Sequence, residues 1–201
     1  MRRSSVYQRT TYSISPPRQL LPATMGVLSG MDKITPSLYL SNATSARNRN
    51  IIAAKHITCI INASMDVQRP TLSGVDYIRV PVADLPHVRL SDYFDMVADR
   101  IRLVERRNGR TLVHCVAGVS RSATLCIAYL MKYEGISLRE AHNWVKSRRP
   151  TIRPNAGFWH QLIAYEKKLF GKNSVKIEGS ALGVLPVETG KYRRDCNCAS
   201  W

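Results

Sequence analysis

Two short segments whose apolar residues follow one another without polar alternation constrain the fold of this chain more than any other feature. Thr58–Ala63 and Thr111–His114 are too uniformly apolar for strands with one face in water, so they are predicted to be central strands of a sheet. Ser37–Leu40 and Tyr77–Val82 are further β-type segments. Strands buried on both faces are characteristic of parallel sheets, whose crossover connections place helices above and below.

Segments with helical spacing alternate with these strands. One begins at Ser91 and ends at Asn108–Gly109, and Ser120–Glu134 is apolar on nearly every side, which is typical of a buried helix. A capping box opens a third helix at Ser137, and a fourth is predicted over Asn155–Phe170. This alternation predicts an α/β fold with a central, mostly parallel or mixed sheet flanked by helices.

The 201 residues suit one domain with a tail at each end. We predict a flexible basic arm over residues 1–30, the folded domain over residues 31–171, and a flexible tail over residues 172–201. The net charge is +16, of which residues 1–30 contribute +4 and residues 171–201 contribute +2, so the folded part carries +10. An anionic partner is therefore expected, and nucleic acid, phospholipid or phosphorylated protein all fit the charge.

The composition disfavours several kinds of protein and site. No stretch approaches the roughly 20 apolar residues that span a bilayer, and no apolar segment near the start is typical of a secretory signal. The five cysteines lack the spacing of a zinc site, so we expect no metal and a reducing compartment, cytoplasm or nucleus. A mitochondrial transit peptide is the alternative for the Arg-bearing start, although Pro16, Pro17 and Pro22 would break its helix.

The chemistry of this chain is predicted to lie in the segment between the buried strand and the buried helix, His114–Ser122. A cysteine and an arginine separated by five residues allow the loop to curl so that its N–H groups converge at the positive end of the following helix. Gly118 permits the backbone angles that such a turn needs. The predicted result is a phosphate-sized anion site whose loop residues are Val116, Ala117, Gly118, Val119 and Ser120.

Cys115 would lie at the bottom of this site, where the converging dipoles favour a nucleophilic thiolate. Arg121 would hold two phosphoryl oxygens through its planar guanidinium. Ser122, or alternatively Ser120, would donate a hydrogen bond to the departing sulfur, and His114 is predicted to shape the loop rather than act as a base. The alternative interpretation is a strand–loop–helix junction whose cysteine is merely buried.

The string His-Cys-x-x-Gly-x-Ser-Arg-Ser resembles the signature of the protein tyrosine phosphatase superfamily, and it is most similar to the small atypical dual-specificity protein phosphatases. The resemblance extends from about Ile34 to Phe170 and includes the segments Ile34–Leu40, Cys59–Ala63 and Arg153–Phe158. It implies a cysteine-phosphatase fold, a catalytic domain over residues 31–171, and a supporting role for Asn155.

The resemblance also implies a phosphocysteine intermediate and a general acid on a loop upstream of the signature. Asp84 is the candidate, because it follows the strand Tyr77–Val82 and precedes Cys115 by 31 residues. The same carboxylate would then activate water. Asp92 and Asp95 are rivals, although carboxylates in the first turn of a helix more often serve its dipole. The loop N–H groups and Arg121 supply the charge stabilisation, so no metal or other cofactor is required.

The substrate class follows from the uncharged loop residues Val116, Ala117 and Val119. Phosphoinositide and RNA phosphatases of the superfamily carry more polar loops, so phosphotyrosine and phosphoserine/phosphothreonine on proteins are favoured, and no nucleic-acid partner is expected. The resemblance implies that MAP kinases are among the substrates.

Two alternative functions stay open: a non-catalytic phosphate-binding scaffold, and an RNA or lipid phosphatase suggested by the net charge. The oligomeric state is not indicated.

The last four residues have the C-a-a-X form of a prenylation signal, with the cysteine at Cys198 and Trp201 at the end. Ser200 and Trp201 fit that signal poorly. Membrane association through the tail is therefore less favoured than an ordinary chain end.

Overall fold

The computed structural model describes residues 30–66, 72–180 and 183–188. Almost all of the predicted basic arm and the C-a-a-X sequence lie outside the described residues. Five strands form one sheet in the order β1-β2-β5-β3-β4, and two more form a separate antiparallel pair. The strands are β1 Met31–Lys33, β2 Leu38–Ser41, β3 Cys59–Asn62, β4 Asp76–Arg79, β5 Thr111–His114, β6 Val175–Ser180 and β7 Gly183–Glu188.

The five-stranded sheet is mixed, as the sequence predicts. β1 pairs with β2 in an antiparallel sense, whereas all the other neighbours are parallel. Every residue of β2, β3 and β5 is buried, as expected for β3 and β5, which were predicted to be central strands. Because parallel strands share a direction, the carboxyl ends of these three strands lie side by side at one edge of the sheet.

Six α-helices are present in the described part of the chain: α1 Ala43–Ala46, α2 Arg49–Ala54, α3 Phe94–Arg106, α4 Arg121–Glu134, α5 Leu138–Arg148 and α6 Ala156–Phe170. The predicted buried helix is α4, whose first eleven residues are all buried and which packs against α3, α5 and α6. Gly135 and Gly171 end α4 and α6 in the left-handed conformation. No helix within the described ranges is long and apolar enough to cross a membrane.

Some elements differ from the sequence-based prediction. β4 is shorter than the predicted strand Tyr77–Val82, because the chain leaves the sheet after Arg79. β1, α1 and α2 were not predicted. The first part of the tail predicted from residue 172 contains regular structure: Val175 is buried, Ile177 packs on the core, and β6 and β7 form a regular hairpin.

A buried carboxylate holds the start of this hairpin in place. Glu166 on α6 is fully buried and accepts hydrogen bonds from the backbone N–H groups of Leu138 and Ser174 and from the Ser174 hydroxyl. Leu138 is the first residue of α5, so the carboxylate also meets the positive end of that helix. Glu166 therefore connects α5, α6 and the strand that follows, and its desolvation is offset by three donors.

Candidate active site

The predicted anion site lies at the edge where the parallel strands end. β5 ends at His114, the loop occupies Cys115–Ser120, and α4 begins at Arg121 with its N-terminus facing the loop. The backbone there has the shape the sequence predicts, and Gly118 has a φ of +69°. The structure thus brings together all of the predicted loop residues and both residues of the Cys-x5-Arg spacing.

The N–H groups of the loop are turned inward because its four central carbonyls are held from outside. Four successive carbonyl oxygens accept hydrogen bonds from the surrounding scaffold, and in a planar peptide an outward carbonyl turns the N–H group inward. The pairs are Val116 O with Ala43 N at 3.0 Å, Ala117 O with Arg149 Nη2 at 3.2 Å, Gly118 O with Arg149 Nε at 2.7 Å, and Val119 O with Arg153 N at 2.8 Å.

Arg149 is the site residue that sequence reasoning missed. It is 6% exposed, binds two consecutive loop carbonyls, and donates its remaining nitrogen to Asp32 Oδ2 at 2.6 Å. It acts on the loop rather than on a ligand, so we regard it as a positioning residue. Its neighbour Arg148 stacks on Trp144 at the surface, and nothing in the local sequence distinguishes the two arginines.

Gly118 is required for a second reason besides its backbone angles. A Cβ at this position would lie 2.5 Å from the carbonyl oxygen of Ser41 and 2.8 Å from Arg149 Nη2. The loop is therefore pressed against the end of β2, and a side chain would push it away.

Gly118→Ala is expected to lower kcat/KM for an aryl phosphate by roughly 100-fold, because displacing the loop by about an ångström misplaces both the nucleophile and the N–H groups. Steady-state kinetics will measure the loss. Gly135→Ala is the matched control, since Gly135 has a φ of +65° and a Cβ there would meet no atom of the described residues within 4 Å. Equal losses in the two variants would contradict the crowding argument.

The Cys115 sulfur is enclosed and receives hydrogen bonds from several directions. It is 1% exposed, and it accepts from Gly118 N and from the Ser122 hydroxyl, each at 3.2 Å. Burial alone would raise the pKa of the Cys115 thiol. The side chain and backbone N–H of Ser122, the N–H of Val119 and the charge of Arg121 outweigh burial, so the pKa is lowered. Ser122, not Ser120, is the hydroxyl that contacts the sulfur.

Ser122→Ala is expected to raise the pKa of Cys115, because the hydroxyl stabilises the thiolate and not the thiol. Alkylation by iodoacetamide, followed by mass spectrometry of residue 115, should therefore become severalfold slower at pH 6 and stay unchanged at pH 10. Ser147→Ala, which removes a surface hydroxyl bound to the Trp144 carbonyl, is the control. An unchanged alkylation profile in Ser122→Ala would show that this hydrogen bond does not favour the thiolate.

Arg121 lies beside the loop with its guanidinium partly unsatisfied. Its side chain is 9% exposed, and Nη1 donates to the Val82 carbonyl at 3.1 Å. Nε lies 3.7 Å from Asp84 Oδ2, and it is buried with no hydrogen-bond partner among the described residues. A buried N–H group without an acceptor is costly, so this nitrogen is suited to an oxygen of a bound anion.

Asp84 is connected to the loop through two polar side chains. Its Oδ1 accepts from the Ser120 hydroxyl at 2.7 Å and from Asn155 Nδ2 at 2.8 Å, and the Ser120 oxygen in turn accepts from Asn155 N. Both bonds fall on Oδ1, which leaves Oδ2 facing Arg121 and partly open to solvent. The structure therefore places Asp84, Arg121 and Asn155 together, as the sequence predicts.

The loop that carries Asp84 is held by α6. A Cβ on Gly157 would lie 1.8 Å from the carbonyl oxygen of Pro86, so helix and loop are in close contact. Gln161 donates to the Val88 carbonyl and accepts from Ser91 N. The helix that positions Asn155 thus also positions the carboxylate that Asn155 binds.

The rival carboxylates have other partners. Asp92 pairs with Arg89 at the surface. Asp95 accepts from Lys132, Lys168 and Tyr165, and the Lys132 hydrogen bond lowers the pKa of Asp95 well below its usual range. Both belong to a charged surface between helices and not to the loop.

His114 is buried and lies beside the start of the loop. Burial lowers the pKa of its imidazole, and a ring nitrogen, Nδ1, lies 3.2 Å from the Cys115 carbonyl. A carbonyl only accepts, so Nδ1 carries the proton and donates. This hydrogen bond fixes the peptide at the start of the loop.

The site combines a cysteine sulfur whose pKa is lowered by hydrogen bonds with an arginine beside it, at the junction of a buried parallel strand and a buried helix. This combination defines the class of cysteine-dependent phosphatases. Within that class the chain belongs to the dual specificity phosphatase family. Residues 38–168 match the family model described as "Dual specificity phosphatase, catalytic domain". The fold is accordingly a cysteine-phosphatase fold, and the chain is a protein phosphatase enzyme.

Known proteins support this assignment along most of the chain. Human dual specificity protein phosphatase 14 is 51% identical over 173 residues, which cover 85% of this chain and 87% of the relative. Human dual specificity protein phosphatase 18 is 54% identical over 159 residues, covering 79% and 85%. A mouse putative dual specificity phosphatase complexed with zinc tungstate superposes with a TM-score of 0.70 at 36% identity, covering 76% of this chain and 96% of that one.

Proposed function

We propose that this chain hydrolyses phosphotyrosine and phosphoserine/phosphothreonine on proteins through a phosphocysteine intermediate on Cys115. The observation that carries the proposal is the pairing of a buried, pKa-lowered Cys115 sulfur with the unsatisfied Nε of Arg121. A phosphoryl group bound by both would meet a nucleophile at the sulfur and would supply the acceptor that Nε needs. The tungstate held by the mouse relative is an anion of that shape.

In the first step the Cys115 thiolate attacks phosphorus, the S–P bond forms, and the bond from phosphorus to the leaving oxygen breaks. Loop N–H groups and Arg121 bind the three non-bridging oxygens, where charge is concentrated. Asp84 gives the proton from Oδ2 to the leaving oxygen, because Oδ1 is occupied by Ser120 and Asn155.

In the second step a water molecule attacks the phosphocysteine, and Asp84 accepts the proton that water loses. The S–P bond breaks, inorganic phosphate leaves, and the thiolate is restored. The Ser122 hydroxyl, 3.2 Å from the sulfur, stabilises the leaving thiolate. The cycle needs no group beyond the residues of this chain and water.

Phosphorylated proteins, including MAP kinases, are the proposed substrates. Apolar side chains surround the opening of the site: Val116 is 58% exposed and Leu85 is 46% exposed. These residues offer apolar contact area for a peptide. They carry no positive charge that could bind the additional phosphates of an inositol ring. The net charge of +16 favours an acidic, phosphorylated segment.

A substrate panel tests this proposal. The purified chain should hydrolyse phosphotyrosyl and phosphothreonyl peptides from a MAP kinase activation loop faster than a phosphoinositide or a 5′-triphosphate RNA. The phosphopeptide-treated enzyme, quenched in acid, should carry one phosphate on residue 115 by mass spectrometry. Faster turnover of the lipid or the RNA would overturn the substrate class, and phosphate binding without any turnover would favour a scaffold.

We also propose that the protein works in the cytoplasm or nucleus. Cys59 and Cys126 are free and buried, and the active cysteine needs a reducing environment. A fluorescent fusion at the C-terminus, which leaves the basic start free, should show diffuse cytoplasmic and nuclear signal. Mitochondrial signal would instead support the transit-peptide interpretation.

A further inference from the structure

A second cationic surface lies at the end of the sheet opposite the phosphate loop. The loop follows the carboxyl end of β5, whereas Arg110 immediately precedes its amino end. There the turn after α3 meets the turn after α2, and the basic side chains of Lys55, Arg107 and Arg110 lie on these two turns. We call these three residues the basic corner.

The two turns are held together by hydrogen bonds and close packing. Arg110 Nη1 donates to the Lys55 carbonyl at 2.9 Å, and the Arg110 carbonyl accepts from Thr58 N and Cys59 N. A Cβ on Gly109 would lie 2.4 Å from the Thr58 hydroxyl. Lys55 and Arg107 are exposed on the two turns that these contacts join, so the fold places both cations on the same end of the molecule.

The charge of the basic corner is not neutralised by the neighbouring carboxylates. Asp76 pairs with Arg100, and Glu105 binds Arg102, Ser37 and Tyr129. Within the described ranges, no carboxylate lies within ion-pair distance of the basic-corner side chains. Like charges held close together at a surface are unfavourable, and an anionic partner relieves their repulsion.

An apolar stripe on α3 leads to the basic corner. Met96 is 41% exposed and Leu103 is 39% exposed, and their spacing of seven places them on one face with Arg100 between them. Arg107, one turn beyond Leu103, continues the same face into the corner. Arg100 is paired with Asp76, so the stripe contributes apolar contact and the basic corner contributes the charge. Such a surface suits a peptide that carries both carboxylates and apolar side chains.

We propose that the basic corner and the Met96–Leu103 stripe form a docking surface for an acidic, leucine-bearing segment of a phosphoprotein substrate. The proposal rests on the proposed protein-phosphatase function. β5 has four residues, so at about 3.3 Å per residue the corner lies roughly 15–20 Å from Cys115. A segment docked there raises the effective concentration of a phosphoresidue tethered to it and lowers KM without altering the chemistry.

A peptide partner fits this surface better than nucleic acid does. Single-stranded nucleic acids bind surfaces that combine cations with aromatic side chains, on which the bases stack. The six residues of this surface are Lys55, Met96, Arg100, Leu103, Arg107 and Arg110, and none is aromatic.

The test uses two phosphotyrosyl peptides with the same sequence around the phosphate. Each is joined by a ten-residue Gly-Ser linker, whose end-to-end distance of about 17–19 Å matches the separation. The linker leads to a segment of alternating Asp, Glu and Leu in one peptide and of Gln and Ser in the other. For the full chain, the acidic peptide should have a KM about tenfold lower at an unchanged kcat.

The variant Lys55→Glu/Arg107→Glu should abolish this difference and leave turnover of a small aryl phosphate unchanged. The single variants Arg107→Glu and Lys33→Glu change the net charge equally, and Lys33 is exposed on β1 outside the surface. Only Arg107→Glu should raise the KM of the acidic peptide. Equal effects of the two single variants would overturn the proposal, because bulk charge would then explain the preference.

Fluorescence anisotropy of the acidic segment without phosphate separates this proposal from the proposed function. Loss of binding in Lys55→Glu/Arg107→Glu supports the docking surface even if neither phosphopeptide is hydrolysed, in which case the proposed function alone fails. Binding that survives in the double variant overturns the docking surface. Tighter binding of oligouridylate than of the peptide, lost in the same variant, would overturn the choice of partner.

Discussion

Cys115→Ser is expected to lower turnover of an aryl phosphate by about 10⁴-fold or more, because a serine hydroxyl at this position is not ionised and cannot replace the thiolate. The hydrogen bonds that lower the pKa of Cys115 stabilise a sulfur anion, which serine does not provide. Initial-rate assays with purified protein will measure the loss, and the acid-stable phosphate on residue 115 should disappear with it.

Cys126→Ala is the matched control for this experiment. Cys126 is fully buried in α4, and burial raises the pKa of its thiol, so it stays protonated and unreactive. Removing it should leave kcat within about twofold, and alkylation at pH 6 should still modify residue 115. Retained activity in Cys115→Ser, or lost activity in Cys126→Ala with the fold intact, would place the nucleophile elsewhere.

Arg121→Lys is expected to lower kcat by roughly 10²- to 10³-fold, the usual effect of removing one preorganised donor from a developing charge. A lysine keeps the positive charge but has neither the planar pair of donors nor the reach to satisfy Val82 and a phosphoryl group together. KM should also rise, because the same guanidinium binds the ground-state phosphate.

Arg148→Lys serves as the control, since Arg148 contacts Trp144 at the surface and does not touch the loop. Its kinetic constants should match those of the parent chain. If Arg121→Lys retained more than a tenth of the parent kcat, charge alone would suffice and the bidentate role assigned to the guanidinium would be wrong.

Much of the fold was predictable because its determinants are local. The uniform apolarity of Thr111–His114 predicts a central strand, and the structure buries all four residues. The capping box at Ser137 predicts the start of α5, and both of its hydrogen bonds are present. By contrast, β1 has only three residues, which is too short to show a period.

The site was predictable where its residues are close in sequence. Cys115, Gly118 and Arg121 lie within one loop and the start of one helix, so the motif and its position between a strand and a helix predicted the anion site. Arg149 was missed because its two bonds to the loop depend on how α5 packs, and a run of basic residues around it gives no signal. The bond from Asn155 to Asp84 likewise spans 71 residues and exists only in the folded chain.

The bond between Arg149 and Asp32 has a consequence for how much of the chain the enzyme needs. Asp32 stands ahead of residue 38, where the match to the family model begins, and Ser174, which Glu166 binds, stands after residue 168, where that match ends. The contacts that hold the loop and α6 therefore include residues on both sides of the matched range. A truncation at those limits would leave Arg149 with an uncompensated buried charge and Glu166 with fewer donors, although every catalytic side chain would remain.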